Sequence, residues 1–237
     1  MSDNAFGPIG LEALMTFFQS SCCYSLKEFR LHNNGLGPDG AKKLAFSLEH
    51  CYKNSGGKLA LRVFVCGRNR LEYEGAKAIS NVLKMMGSLE EIQMPQNGIR
   101  PNGIEFLADA CAYNPHLRTI NFNDNTFRSI GGDLMSKALN GLNNLEFINF
   151  GDCLLRSRGA LAIAKSLAHA KNIQEVILSF NEISLESGIE IAGVLAKKTT
   201  LKLLDLNGNK FGEDGKLEVL KILEPIQSAL STMRLSF

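Results

Sequence analysis

The chain has 237 residues, 45% of them hydrophobic and 21% charged, which is enough apolar material for a continuous core in a globular protein. Its 26 lysines and arginines nearly balance its 24 aspartates and glutamates, for a net charge of +2, so composition gives no support for binding to nucleic acid or to a membrane surface. The sequence predicts neither a membrane-spanning run of about 18 apolar residues nor a secretory signal.

One pattern recurs along the chain. It consists of a leucine-type residue, two free positions, an apolar residue, one free position, another apolar residue, two free positions and then asparagine, as in Leu89, Ile92, Met94 and Asn97. Its last position returns every 28 residues, at Asn69, Asn97, Asn125, Cys153, Asn181 and Asn209. Self-similarity at a period of about 20 to 29 residues is typical of leucine-rich repeats. We therefore expect one elongated domain in which each repeat contacts its neighbours.

The elements divide the domain into three parts. Residues 1–25 fit the second half of a repeat, seven complete repeats occupy residues 26–215, and the amphipathic segment 216–237 predicts a last helix and a C-terminal cap. One interval, from Asn34 to Asn69, is 35 residues long rather than 28, and the surplus coincides with the polar segment 53–58. That segment predicts a loop between a helix and the next strand.

The N-terminal part carries its own expectation. Asn4 falls at the terminal position of the pattern, so the register begins half a repeat in. A repeat without its strand leaves an open edge, which we expect to expose Phe6, Leu11 and Leu14 and to promote self-association.

Two periodicities alternate within each repeat. Residues 28–32 alternate polar and apolar side chains, which predicts a strand with one buried face. Ala41, Leu44, Ala45 and Leu48 have the spacing of one helix face. Strands of successive repeats pair in parallel, because each is followed by a crossover. The sequence thus predicts an α/β fold, a leucine-rich-repeat solenoid shaped like the ribonuclease-inhibitor horseshoe, with an inner parallel β-sheet and outer helices.

The asparagines and cysteines have structural interpretations. An amide side chain donates and accepts at once, so a stack of asparagines can satisfy the backbone where each strand ends, and a thiol at Cys153 can occupy the same place. None of the six cysteines forms a pair at metal-ligand spacing. They indicate reduced core thiols in an intracellular protein, with no metal and no cofactor.

Catalytic arrangements are weak in this sequence, whereas charges at the strand exits are regular. His32 has no acid or cysteine placed beside it, and no phosphate-binding loop of the P-loop type occurs. We therefore expect no enzyme with its own active site. Asp124 and Asp152 lie one repeat apart at strand exits, and basic residues share these turns, at Arg68, Arg70, Arg100, Arg156 and Arg158. A ridge of mixed charge on a solenoid is typical of a protein-binding surface.

The turns resemble those of one family of leucine-rich-repeat proteins. The segments that carry the resemblance, in order, are Leu31-His32-Asn33-Asn34-Gly35-Leu36-Gly37-Pro38, Cys66-Gly67-Arg68-Asn69-Arg70-Leu71-Glu72, Gln96-Asn97-Gly98-Ile99-Arg100-Pro101, Asp124-Asn125-Thr126-Phe127, Gly151-Asp152-Cys153-Leu154-Leu155 and Leu206-Asn207-Gly208-Asn209. In order and spacing they are similar to the repeats of the Ran GTPase-activating proteins.

The resemblance implies a function and a set of contact residues. It implies a cytoplasmic regulator, with the nuclear envelope as a second location, that acts in nucleocytoplasmic transport by docking on the GTP form of Ran and stimulating GTP hydrolysis. In the family the activator supplies no arginine finger and instead positions Ran's own glutamine, unlike most activators. Asn33 matches a family asparagine near the GTPase active site, and Asp124 matches a family acidic residue at the interface. The resemblance extends the interface to Arg68, Arg70, Gln96 and Asp152.

The sequence departs from the family pattern in two ways, and these departures leave two possible functions. The family's arginine lies in a Thr-Gly-Arg segment upstream of these repeats, and neither that segment nor the acidic tail occurs among the 237 residues. We therefore expect an N-terminally truncated relative with weak binding to Ran and impaired activation. The alternative is a leucine-rich-repeat scaffold that binds another protein and has no GTPase-activating activity.

Overall fold

The computed structural model describes residues 1–235. Within them, a single sheet of eight parallel strands runs in chain order. The strands are β1 Glu28–Arg30, β2 Val63–Val65, β3 Glu91–Gln93, β4 Thr119–Asn121, β5 Phe147–Asn149, β6 Glu175–Ile177, β7 Leu203–Asp205 and β8 Thr232–Arg234. This topology confirms the parallel sheet that the repeat period predicts.

Eight α-helices alternate with the strands in the same part of the chain. They are α1 Gly7–Gln19, α2 Gly37–Asn54, α3 Glu72–Met86, α4 Pro101–Ala112, α5 Arg128–Leu139, α6 Arg156–Ser166, α7 Leu185–Leu195 and α8 Gly212–Leu223. Consecutive helices pack side by side from α1 to α8. The helices therefore form the second layer of a leucine-rich-repeat solenoid, and the core lies between them and the sheet.

Strand alternation determines which side chains enter the core. In β2 to β6 the central residue is buried and its two neighbours are half exposed. The pairing register aligns these central residues across the sheet, as in Phe29 opposite Phe64 and Phe64 opposite Ile92. The rings of Phe29 and Phe64 stack with centroids 6.2 Å apart. The result is a continuous apolar column that crosses all repeats.

A ladder of asparagine side chains closes the strand exits. The amide oxygen of Asn69 accepts from the backbone N–H of Asn34 at 2.9 Å, and its amide nitrogen donates to the carbonyl of Leu31 at 2.7 Å. The same two contacts recur where asparagine follows asparagine in the ladder. At Cys153 the thiol donates to the carbonyl of Phe122 at 3.3 Å, so it retains the donor half of the pattern. These contacts confirm the predicted structural role of the terminal position.

The first 25 residues form half a repeat, but one predicted exposure is wrong. The N–H of Asn4 donates to the amide oxygen of Asn34 at 3.1 Å, so Asn4 joins the ladder. Leu11 is completely buried, because it lies on the face of α1 that packs on α2, while Phe6 and Leu14 are half buried. The large apolar residues that α1 does expose are Ile9 and Phe17, at 82% and 53%. Self-association through this end stays a prediction.

The long interval between the first two complete repeats is only partly a loop. Lys53 and Asn54, which the polar composition assigned to a loop, belong to the last turn of α2. The hydroxyl of Ser55 accepts from the backbone N–H of Leu59 at 3.1 Å, and both residues are buried. The surplus residues therefore lengthen the helix and form a packed connection.

The C-terminal segment contains a strand as well as a helix. α8 ends at Leu223, and β8 pairs in parallel with β7. Leu230, Met233 and Leu235 fit the repeat pattern, but Leu230 follows Leu201 by 29 residues rather than 28. A strict 28-residue register therefore does not predict this strand. The segment that we expected to form only a helix and a cap also adds an eighth strand to the sheet. Residues 236 and 237 of that segment lie outside the described residues.

Candidate functional site

The residue before each ladder position has an unusual backbone. Its φ lies between 50° and 63° at Asp3, Asn33, Arg68, Gln96, Asp124, Asp152, Phe180 and Gly208. We call this column of eight residues the exit ridge. The left-handed conformation costs an ordinary residue about 1–2 kcal/mol. It recurs here because the chain has to leave each strand at the same place in every repeat.

Backbone hydrogen bonds hold the exit ridge in this conformation. The N–H of Arg68 donates to the carbonyl of Pro95 at 2.9 Å, and the N–H of Asp124 donates to the carbonyl of Gly151 at 3.0 Å. Each bond joins one repeat to the next and continues the ladder of the sheet by one step. The backbone N–H groups of the ridge from Asp3 to Phe180 are thus all engaged, which leaves the side chains available to solvent and to partners.

The structure brings all six predicted site residues together. Five of them are exit-ridge residues, and Arg70, with φ at 53°, lies two positions after Arg68. Asn33, Arg68, Arg70 and Gln96 line a depression of about 230 Å³. A second depression of about 350 Å³ is lined by Arg70 and Gln96 again and, among others, by two acidic residues, Asp124 and Asp152. The two depressions adjoin through the shared residues. A role of these six residues in binding stays a prediction.

The charges of this surface are not neutralised within the protein. Elsewhere, exposed charges pair between adjacent repeats, as in Arg62 with Glu90 at 2.8 Å and Arg118 with Glu146 at 2.9 Å. Among residues 1–235, no ion pair within 4.0 Å involves the charged groups of the two depressions, namely Arg68, Arg70, Glu72, Asp124 and Asp152. A partner with complementary charges could therefore pair with them without first breaking an internal ion pair.

Asn33 is an exposed amide of the smaller depression, and another residue of the exit ridge orients it. Its amide nitrogen donates to the carboxylate of Asp3 at 2.9 Å, and its backbone N–H donates to the carbonyl of Gly67 at 2.8 Å. One end of the amide is thereby fixed, while the residue remains exposed. Such a group can orient a polar atom of a partner, although it supplies no nucleophile or base.

Some basic residues of the predicted charged ridge lie away from the depressions. Arg158 pairs with Asp133 at 2.5 Å, and Arg156 lies 3.7 Å from Glu182. Arg100 is exposed at the start of α4, with φ at −103°. These three arginines do not line either depression, because each lies after the turn, close to the helix start.

Two residues of the exit ridge and its depressions were not predicted from the sequence, because they are apolar. Leu154 lines the larger depression, and Phe180 occupies the exit ridge one repeat after Asp152. Both are apolar, so a search for charged turns passes over them. The 28-residue register by itself points to Phe180, since it lies 28 residues after Asp152.

The buried cysteines have no reactive environment. Burial raises the pKa of Cys66, Cys111 and Cys153 to about 12, so these thiols stay protonated at neutral pH. In residues 1–235, no group of three or more histidine, cysteine or acidic side chains is arranged to hold a metal ion. No helix in that range has the length and apolar character needed to cross a membrane.

Comparison with known proteins agrees with the geometry. The leucine-rich repeat family matches residues 22–45, 113–136 and 197–215. The chain is 49% identical over 102 residues to Ran GTPase-activating protein 1 of Xenopus laevis, covering 42% of this chain and 18% of the relative. It is 43% identical over 121 residues to the Ran GTPase-activating protein of Drosophila melanogaster, covering 50% of this chain and 20% of the relative. It is also 49% identical over 105 residues to Ran GTPase-activating protein 2 of Caenorhabditis elegans, covering 44% of this chain and 11% of the relative.

These similarities are partial in both directions. The chain spans a fifth or less of the length of the three relatives, and each alignment covers half of the chain or less. Within this chain, the parallel sheet and the asparagine ladder run through the repeats from β1 to β7. The chain is a leucine-rich-repeat protein that is homologous, over 42% to 50% of its length, to proteins named Ran GTPase-activating protein.

Proposed function

We propose that this chain is a regulator that docks on the small GTPase Ran in its GTP form through the two adjoining depressions of the exit ridge. The names of its relatives support the identity of the partner. The unpaired charges of the depressions support the place of contact, and this observation carries the proposal. In this view the chain acts on the catalytic apparatus of Ran and supplies no active site of its own.

The charge distribution determines what the partner has to offer. Arg68 and Arg70 line the smaller depression, and Asp124 and Asp152 line the larger one. A complementary partner presents acidic groups to the first pair and basic groups to the second. Such complementarity mainly accelerates association and sets orientation, because partly exposed ion pairs contribute little affinity.

We assign Asn33 a positioning role on the GTPase. Stimulation of GTP hydrolysis depends on orienting the attacking water and stabilising charge on the transferred phosphoryl group. A fixed amide can orient a glutamine side chain by one hydrogen bond, which suits Asn33 because Asp3 already holds its amide nitrogen. The remaining capacity of the amide faces solvent, where a docked partner can reach it.

Calorimetric titration of the chain with GTP-loaded and GDP-loaded Ran tests the docking surface. The variant Asp124→Asn/Asp152→Asn removes two ridge charges and retains residue types that tolerate a positive φ. Its matched control, Glu105→Gln/Glu186→Gln, removes two exposed acidic charges from α4 and α7. We expect the wild-type chain to bind GTP-loaded Ran more tightly than GDP-loaded Ran. The ridge variant should bind GTP-loaded Ran at least fivefold more weakly than the wild type, a loss of about 1 kcal/mol of binding free energy, and the control variant should bind as the wild type does.

The same titration distinguishes the competing function. A folded wild-type chain that does not bind Ran in either nucleotide state contradicts the proposal and points to a scaffold for another protein. Equal weakening by the ridge variant and its control would show that binding depends on net charge and not on the exit ridge.

A further inference from the structure

Phe180 combines two unfavourable properties. Its φ is 54°, and its side chain is 59% exposed to solvent. A positive φ is an outlier for a bulky residue, and an exposed aromatic ring gains nothing from the hydrophobic effect. Within the described residues, Phe180 is not one of the side chains that form or line the core. Packing of the core therefore does not account for an aromatic residue at this position.

The next repeat makes room for this ring. A Cβ atom on Gly208 would lie 2.2 Å from Cδ1 of Phe180 and 2.4 Å from Cε1, so the ring lies against the backbone of Gly208. Gly208 is the next residue of the exit ridge, with φ at 63°. Any larger residue there would displace the ring. One side of the ring therefore packs on the backbone of the ridge, while 59% of the side chain stays open to solvent.

The surroundings of Phe180 differ from those of the two depressions. Arg156 and Lys210 each lie 3.7 Å from the carboxylate of Glu182, so the charged groups next to Phe180 are paired within the protein, with one positive charge in excess. Leu154, in the preceding repeat, is 38% exposed and lines the larger depression. Beyond Asp152 the surface therefore changes from unpaired charge to exposed apolar side chains with ion-paired groups nearby.

We propose that Phe180 is an apolar anchor that extends the docking surface past Asp152. It inserts into an apolar recess on a protein partner that presents basic groups to Asp124 and Asp152. This inference rests on the proposed function, and the partner is the same GTPase. Aromatic anchors that become buried on association account for much of the affinity of many interfaces, because they fill a recess on the partner and exclude water from it.

Two substitutions separate a binding role from a structural one. Phe180→Ala removes the ring, and Phe180→Asn removes it while placing a residue that adopts a positive φ readily. The matched control is Phe46→Ala, which removes a phenylalanine that is 56% exposed on α2, away from the ridge. The affinity for GTP-loaded Ran is measured by calorimetric titration, and the midpoint of thermal unfolding is measured for each variant.

We expect both Phe180 variants to bind Ran about 30-fold more weakly, as for the loss of an interface hot spot, and Phe46→Ala to bind as the wild type does. We also expect Phe180→Asn to unfold at a temperature no lower than that of the wild type. Binding of Phe180→Asn within twofold of the wild type would overturn the inference and leave the proposed function standing. A marked drop in its unfolding temperature would show a structural role and would also overturn the inference. If the wild-type chain does not bind Ran, the proposed function and this inference both fall.

Discussion

The amide oxygen of Asn97 accepts a hydrogen bond from the backbone N–H of Asn69 at 2.9 Å, while its amide nitrogen donates to the carbonyl oxygen of Cys66 at 2.8 Å. Both partners belong to the preceding repeat and lie where β2 ends. One fully buried side chain therefore satisfies two backbone groups that have lost their sheet partners. The ladder is the device that lets the chain turn sharply at the exit ridge without leaving buried polar groups unsatisfied.

Removing one asparagine of the ladder should destabilise the protein. We expect Asn97→Ala to lower the free energy of unfolding by about 3 kcal/mol, because it leaves a buried donor and a buried acceptor without partners. Urea unfolding followed by circular dichroism measures this change. The control is Asn81→Ala, at an exposed position of α3, where we expect a change near zero. Similar losses for the two variants would contradict the role of the ladder.

Completing the ladder should be stabilising. At Cys153 the sulfur is the acceptor that faces the backbone N–H of Asn125, whereas every other position from Asn34 to Asn209 carries an amide oxygen. We expect Cys153→Asn to raise the free energy of unfolding by about 1 kcal/mol, because an amide oxygen is the stronger acceptor. Urea unfolding in reducing buffer measures the change, and a destabilised variant would show that the site is too small for the amide.

The closest approach of two helices depends on a pair of glycines. A Cβ on Gly132 of α5 would lie 2.6 Å from the Cα of Gly159 in α6. We expect Gly132→Ala to lower the free energy of unfolding by about 3 kcal/mol, because the backbones of the two helices have to separate. Gly193→Ala in α7, where nothing lies within 4 Å of the added atom, should instead stabilise by about 0.5–1 kcal/mol through helix propensity. In thermal unfolding, we expect the midpoint to fall for Gly132→Ala and to rise for Gly193→Ala.

Stability should fall at alkaline pH. Burial raises the pKa of Cys66, Cys111 and Cys153 from the ordinary 9.0 to about 12. The unfolded chain therefore loses thiol protons above about pH 9 while the folded chain retains them up to about pH 12, so rising pH favours unfolding. At pH 10 we expect a loss of about 1.4 kcal/mol for each thiol.

Urea unfolding in reducing buffer between pH 8 and pH 10 measures this loss. Burial lowers the pKa of Lys198, which gives the opposite trend with pH, but one lysine opposes five thiols, since burial also raises the pKa of Cys23 and Cys51. The control variant is Cys111→Ala, which should unfold more easily at pH 8 and lose less stability on going to pH 10. An unchanged slope in that variant would contradict the assignment to the thiols.

Binding and activation should separate in this chain. The family resemblance connects activation to an arginine in a Thr-Gly-Arg segment, and no such segment occurs in these 237 residues. We expect a polypeptide limited to these 237 residues to bind GTP-loaded Ran and to accelerate its GTP hydrolysis less than a Ran GTPase-activating protein used as reference. Single-turnover GTP hydrolysis measures the acceleration, and a rate equal to that of the reference would contradict the prediction.

Much of the fold follows from the sequence because its cause is local and repeated. Alternation around Phe29 and Phe64 predicts strands, and the 28-residue interval predicts that they stack. The eighth strand escapes this reasoning, because Leu230 departs from the register by one residue. The burial of Leu11 could not be predicted in this way either. It depends on how α2 packs on α1, and the positions of apolar residues in the sequence do not describe that packing.

By itself, the sequence determined the repeat unit and the ladder positions, since a fixed period places equivalent residues at equivalent points of every turn. The six residues of the candidate site came from the resemblance of its turns to those of the Ran GTPase-activating proteins. Only the tertiary structure decided which of the charges are paired, that two depressions join at Arg70 and Gln96, and that the ring of Phe180 rests on Gly208. Those features depend on distances of a few ångströms between neighbouring repeats. Such distances follow from the curvature and twist of the whole stack, which no single repeat specifies.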